Sequence, residues 1–284
     1  MKEKQVITER FISLERVLAA KNRNALRLIP RFVMKWFKRL IHLDEINAII
    51  YKYRDVSGTA FATKVIEDEF KATIIVDNKE RIPASGRCLL VANHPLGGAD
   101  GLALISEVGK RRKDVLFPVN DVLCALPQFR EVFVPVNLYG KNSDNHGKLN
   151  DAFASDAALI YFPAGMCSRK SANKVICDLE WKPTFIKKSI EYRRDLIPIY
   201  VDARNTNFFY RFAKIRKAFM KFNLELILLP REMFLQRGKT IHIVVGKAIP
   251  YQTFDHTQSP KQWAAAVKEY VYRLKDDSDA EFGK

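Results

Sequence analysis

From residue 71 to about 250 the chain repeats one pattern: a short β-rich apolar run, a turn, and a stretch of helical spacing. The runs are ATIIVD (72–77), CLLVAN (88–93), VLFPV (115–119), VFVPVN (132–137), ALIYFP (158–163), LIPIYVD (196–202) and IHIVVG (241–246). Nearly continuous apolar runs of this length, bounded by Gly, Pro, Asn and Asp, suit strands buried on both faces. Helical patterns at 100–110, about 145–155 and 183–193 lie between them. Strands alternating with helices predict an α/β fold with a mostly parallel sheet covered by helices. A further helix is expected at 207–222. A closing helix is expected from Ser259-Pro260, where Trp263, Val267, Tyr270, Val271 and Leu274 recur at helical spacing. The chain is thus read as a helical region (1–70), an α/β domain (71–258) and a C-terminal helix with its tail (259–284).

The first region is basic. No acidic residue stands between Glu15 and Asp44, whereas Arg16, Lys21, Arg23, Arg27, Arg31, Lys35, Lys38 and Arg39 all fall there. With Pro30 opening a helix, Phe32, Val33, Trp36, Phe37, Leu40 and Ile41 share one side, opposite Arg31, Lys35, Lys38, Arg39 and His42. Such a face either lies in a membrane interface or packs on the main domain. The whole chain carries 48 Lys+Arg against 32 Asp+Glu, a net charge of +16, which calls for an anionic partner. An anionic membrane surface, an acidic carrier protein and nucleic acid all qualify on charge alone. No apolar run is long enough to span a bilayer, and MKEKQVITERFISLER lacks the apolar core of a signal peptide. The scattered Cys88, Cys124, Cys167 and Cys177, and the five dispersed histidines, indicate neither a disulfide frame nor a metal site.

Chemistry concentrates in VANHPLGGADGLALI (91–105). A strand runs into Asn93-His94, a tight turn with Gly97 and Gly98 follows, and a helix starts near Asp100. Catalytic groups gather at such strand ends, and paired glycines let backbone approach a substrate. Free amides at the turn can face an oxyanion. A histidine with a nearby carboxylate makes a general base. No Gly-x-Ser-x-Gly elbow is present, so direct attack by a deprotonated acceptor is the simpler route.

At this point the chain resembles the glycerophospholipid acyltransferase family, the group containing lysophosphatidate acyltransferases. VDNKERIPASGRCLLVANH resembles the lead-in to that family's His-Asp motif. VPVNLYGKN (134–142), FPAGMCSRK (162–170) and LIPIYVDARN (196–205) resemble its second, third and fourth motifs, in order, over roughly residues 70–250. The resemblance implies that His94 is the base, that Asp100 is its partner, and that the later motifs shape the donor and acceptor sites. It implies an acyl thioester of acyl carrier protein or coenzyme A as co-substrate, no further cofactor, a lipid acceptor, and a peripheral place on the cytoplasmic face of the inner membrane. In that setting the basic, aromatic stretch NFFYRFAKIRKAFMKF (207–222) reads as a membrane contact, and no nucleic acid is expected.

The departures bear on the acceptor. The family spaces its motif His-x4-Asp; here five residues separate His94 from Asp100. Asn137 stands where the family has a phosphate-binding arginine, and Phe162-Pro163-Ala164-Gly165 replaces Phe-Pro-Glu-Gly. These variants resemble a bacterial, hemolysin-like subgroup that includes O-acyltransferases of amino-acid-containing lipids. A carboxylate acceptor could then be held by Arg169 or Lys170 alone, whereas Lys141 or Arg204, reaching the same place from another loop, would restore phosphate binding. A phosphatidate-forming enzyme and an inactive basic binding module are the rival readings; intact His94 and Asp100 argue against the second.

Overall fold

The structure, a computed structural model, describes residues 30–136, 143–171, 173–219 and 228–283. The expected helix within 1–29, the candidate residues Asn137 and Lys141, and the end of the helix read at 207–222 lie outside the described residues. Helices α1 (Arg31–Leu40), α2 (Leu43–Lys52) and α3 (Gly58–Lys64) precede strand β1 (Thr73–Asp77) and strand β2 (Cys88–Ala92). Then come α4 (Gly98–Arg111), β3 (Val115–Asn120), β4 (Phe133–Val136), α5 (Ser143–Ala154) and β5 (Ala158–Tyr161). A small excursion, β6 (Arg169–Lys170) and β7 (Ile176–Cys177), leads to α6 (Thr184–Tyr192), β8 (Asp195–Asp202) and α7 (Asn207–Phe219). Helix α8 (Leu229–Phe234), strand β9 (Thr240–Val245) and helix α9 (Pro260–Arg273) complete the described chain.

All seven expected strands form, and they make one sheet in the order β1-β9-β8-β2-β5-β3-β4. Every neighbouring pair is parallel except β8 with β9. The central strands are buried along their length, as continuous apolar runs require. On one face Leu90, Ile197, Ile199 and Ile243 pack with Phe61 and Ala62 of α3 and Ala103, Leu104 and Val108 of α4. On the other, Leu89, Val91, Leu159 and Leu196 meet Phe153, Phe185, Ile186, Val267 and Val271 from α5, α6 and α9. The anticipated Ser-Pro start of α9 is a full capping box between Ser259 and Gln262.

Ile49, Tyr53, Phe61, Val65, Ile66 and Phe70 belong to the same core as the sheet, so the chain from α2 onward is continuous with the α/β layers. Helix α1 is different. Its apolar side is broad, and only one edge of it turns inward. Met34 and Ile41 are buried and Leu40 meets a satellite cluster, while Phe32 and Trp36 are 74% and 57% exposed. Two elements had no sequence counterpart: the β6–β7 hairpin, which carries Arg169 and Lys170, and α8. Both are too short for periodicity to register.

Buried Arg194 ties the layers together. Its Nε and both Nη atoms donate to the carbonyls of Phe153 (2.7 Å), Cys88 (3.0 Å), Ala157 (2.7 Å), Ala152 (3.1 Å) and Ser155. All its donors are thereby used on the end of α5 and the starts of β2 and β5. Burial pulls its pKa down to about 10. Arg194→Met would leave several carbonyls buried without donors, at about 1–3 kcal/mol each before relaxation. Urea denaturation should show a loss of at least about 3 kcal/mol.

Candidate active site

The site forms at the C-terminal end of β2, between its parallel neighbours β5 and β8. Past the last ladder pair, the Asn93 side chain takes over the pairing with β8: its Nδ2 donates to the Val201 carbonyl (3.0 Å) and its Oδ1 accepts from the Val201 N–H (2.7 Å). The chain leaves the sheet at the next residue, His94. Asn205, in the fourth motif, donates from Nδ2 to the carbonyls of Pro95 (3.1 Å) and Leu96 (3.4 Å) and so holds the following turn.

Gly97 makes the extra residue of the His-Asp spacing possible. Its φ is +88°, and a Cβ there would sit 2.8 Å from a Leu229 methyl of α8. Only glycine meets both conditions. Helix α4 then starts at Gly98, above Met233, and brings Asp100 to His94 despite the longer spacing. His94 Nδ1 lies 3.1 Å from Asp100 Oδ2. Asp100 is fully buried and also accepts the N–H groups of Leu96 (2.8 Å) and Gly101 (2.8 Å).

The tautomer follows from this arrangement. A carboxylate only accepts, so Nδ1 carries the proton and Nε2 presents the lone pair. No hydrogen bond from the described residues reaches Nε2. The imidazole stacks on Phe162, ring centroids 4.0 Å apart, and Phe117 meets the same phenyl edge-on. Burial works against the imidazolium, but the Asp100 carboxylate and, after it, Asp178 outweigh burial and the opposing Arg169, so the His94 pKa is raised.

Among the other candidates, Pro163 and Ala164 are buried, and Gly165 turns at φ +66° with the Lys182 ammonium nearby. Arg169 is anchored: Nη1 donates to the Cys167 carbonyl (2.6 Å) and the Ser168 carbonyl (3.3 Å), and its guanidinium lies over the Phe209 ring. Its charge is felt at His94. Lys170, the next residue, is exposed. The two cations are therefore not equivalent, which sequence adjacency could not reveal. Arg204 lines a separate cavity of about 400 Å³ with Asn205, Gln236 and Lys239. Asp178 and Asn93, both in the wall around His94, went unrecognised as partners in the sequence; Asp178 is 84 residues from His94. Among the described residues no cluster of His, Cys, Asp and Glu is arranged to hold a metal ion.

Comparison with known proteins decides the class. Residues 16–281 match the family described as Acyltransferase. The chain belongs to that family. It is an enzyme that transfers acyl groups, the class its four motifs resemble. The lyso-glycine lipid O-acyltransferase of Phocaeicola vulgatus is 41% identical over 267 residues, 93% of this chain and 95% of that protein. The lyso-glycine lipid O-acyltransferase of Bacteroides thetaiotaomicron is also 41% identical, over 93% of this chain and 97% of its own length. The 1-acyl-sn-glycerophosphate acyltransferase PlsC of Thermotoga maritima aligns at a TM-score of 0.46 with 13% identity, over 95% of this chain and 88% of that one.

The geometry around this acyltransferase's histidine makes a direct prediction. Histidine NMR should place the His94 pKa above the ordinary value of about 6.5. Asp100→Asn should lower it, because the amide no longer carries the charge that holds the imidazolium.

Proposed function

We propose that this acyltransferase moves a fatty acyl group from a thioester of acyl carrier protein or coenzyme A to the hydroxyl of an amino-acid-containing lipid. His94 Nε2 accepts the proton of that hydroxyl. The oxygen attacks the thioester carbonyl carbon, the C–S bond breaks, and the proton passes from the imidazolium to the departing thiolate. Asp100 keeps Nδ1 protonated and stabilises the imidazolium in between. The amides of Gly97 and Gly98, which have no hydrogen-bond partner among the described residues, are the donors for the oxyanion. The observation that carries this reading is the His94–Asp100 pair at 3.1 Å, which uses Nδ1 and leaves Nε2 for the acceptor hydroxyl.

A carboxylate acceptor fits Arg169, the cation whose charge bears on His94, better than a phosphate monoester does. A phosphate carries nearly twice the charge and needs more than one such partner. The named activity of the two relatives supports the same acceptor class. His94→Ala should abolish turnover, and Asp100→Asn should reduce it by about 10²-fold or more. A lyso-glycine lipid and lysophosphatidate should be supplied in parallel, each with acyl carrier protein and coenzyme A thioesters. Product should form only from the glycine lipid; efficient phosphatidate formation alone would assign the enzyme to the rival class.

The same reading places the enzyme on an anionic membrane, at the cytoplasmic face of the inner membrane. Exposed Phe32 and Trp36 of α1 and exposed Phe208 of α7 flank one satellite cluster, which holds Leu40, Phe209, Tyr210 and Phe212. Arg31, Lys35, Arg39, Arg211 and Lys214 are exposed on the same two helices. Aromatic side chains among basic ones suit the headgroup boundary. Flotation with anionic vesicles should weaken as salt rises, and a Phe32→Ser, Trp36→Ser protein should float less while staying folded. Unchanged flotation would remove this surface from the proposal.

A further inference from the structure

Histidine 94 has left the ladder of β2, so its own backbone groups need partners elsewhere. Both come from one place, the excursion that carries β6 and β7. The Ser168 N–H donates to the His94 carbonyl (2.7 Å), and the His94 N–H points into the Asp178 carboxylate, 3.2 and 3.3 Å from its two oxygens. Asp178 is only 3% exposed. Its Oδ1 also accepts from the Ser168 hydroxyl (2.6 Å) and its Oδ2 from Trp181 Nε1 (2.9 Å).

The same residue is fixed from behind by the C-terminal helix. Its N–H donates to the Tyr272 hydroxyl (2.7 Å), and Lys268 Nζ donates to its carbonyl (2.7 Å). The two carboxylate oxygens accept only from uncharged donors, so the negative charge is not taken up in an ion pair; Lys268, the cation close by, is bonded to the backbone carbonyl instead. That charge acts on what lies beside it, and what lies beside it is His94. A purely structural link would be served as well by a backbone carbonyl.

We propose that Asp178 is a positioning residue for the His94 base, holding its backbone and acting with Asp100 as a second carboxylate that favours the imidazolium. The proposal rests on the reading of His94 as general base, but its first test does not. The charged groups that face His94 are Asp100 from α4, Asp178 from the segment after β7 and Arg169 from β6; Lys268 of α9 faces the Asp178 backbone. Asp178 and Asp100 push the histidine upward, and Arg169 pushes it down.

Two substitutions should move His94 in opposite directions. Asp178→Asn removes the charge. Its amide oxygen, in the place of Oδ2, still accepts from Trp181 and from the His94 N–H, and its NH₂ group can donate to the Ser168 hydroxyl, so the variant is expected to fold. Ser168→Ala keeps the charge and removes the donor that most closely shields it. Histidine NMR of the full chain should show the His94 pKa lowered in the first variant and raised in the second. The base limb of the kcat profile should follow, and kcat of Asp178→Asn should fall on the order of tenfold with KM unchanged. A merely structural residue would not give shifts of opposite sign. If Asp178→Asn does not fold, Ser168→Ala decides alone: an upward shift supports the proposal and an unmoved His94 overturns it. An unmoved His94 in both variants overturns it as well, even where His94→Ala is inactive. Opposite NMR shifts with an unmoved rate profile would uphold Asp178 as the partner of His94 and reject His94 as the base.

Discussion

The pairing of Asn93 with both backbone groups of Val201 is the constraint on which the site depends. Strand β2 ends at Ala92, yet its link to β8 continues one residue further through a side chain. The strand therefore leaves the sheet at one defined point, and His94 emerges there with a fixed direction. The neighbouring motifs converge on the same region because β5 and β8 flank β2 in parallel, so all three strands leave the sheet toward the same edge. Phe162 follows β5 and reaches the imidazole face; Asn205 follows β8 and reaches the turn after it. Parallel pairing is what gathers motifs more than a hundred residues apart in the chain.

Two opposing effects set the chemistry at His94. Removing an imidazolium from water lowers its pKa, and this is the largest single influence on the residue. The carboxylates reverse it together. A base whose pKa lies above the ordinary histidine value holds a proton firmly enough to receive it from a weakly acidic hydroxyl, while still releasing it to a thiolate. The stacked Phe162 ring and the buried Asp100 also restrict the imidazole to one plane and one tautomer.

The basic N-terminal stretch shows how far periodicity reaches. The alternation of Phe32, Trp36, Leu40 and Ile41 with basic residues correctly indicates an amphipathic helix. It does not say which part of a broad apolar face meets protein. Met34, assigned to neither face from the pattern, is buried, whereas Phe32 and Trp36 project outward. The reason is that the domain offers α1 only a narrow contact, along Met34 and Ile41, and the rest of the face has nothing to cover it among the described residues.

Strand runs, helix periods, the Ser-Pro helix start at Ser259 and the His-Asp motif are local properties, written in contiguous residues, and the sequence alone determined them. It also determined the acyltransferase class, because four short motifs in order leave little freedom. Tertiary structure decided which of the candidate residues stand together. The longer His94–Asp100 spacing works because Gly97 takes a left-handed φ against Leu229, a residue from a distant helix. Arg169 is folded back onto the protein and Lys170 faces solvent, because successive residues of a strand point to opposite sides. Asp178 and Asn93 had no local signal, since each acts through a hydrogen bond to backbone brought near only by the sheet and the β6–β7 excursion. A hydrogen bond across so many residues depends on where the fold places its two ends, and no spacing along the chain encodes that.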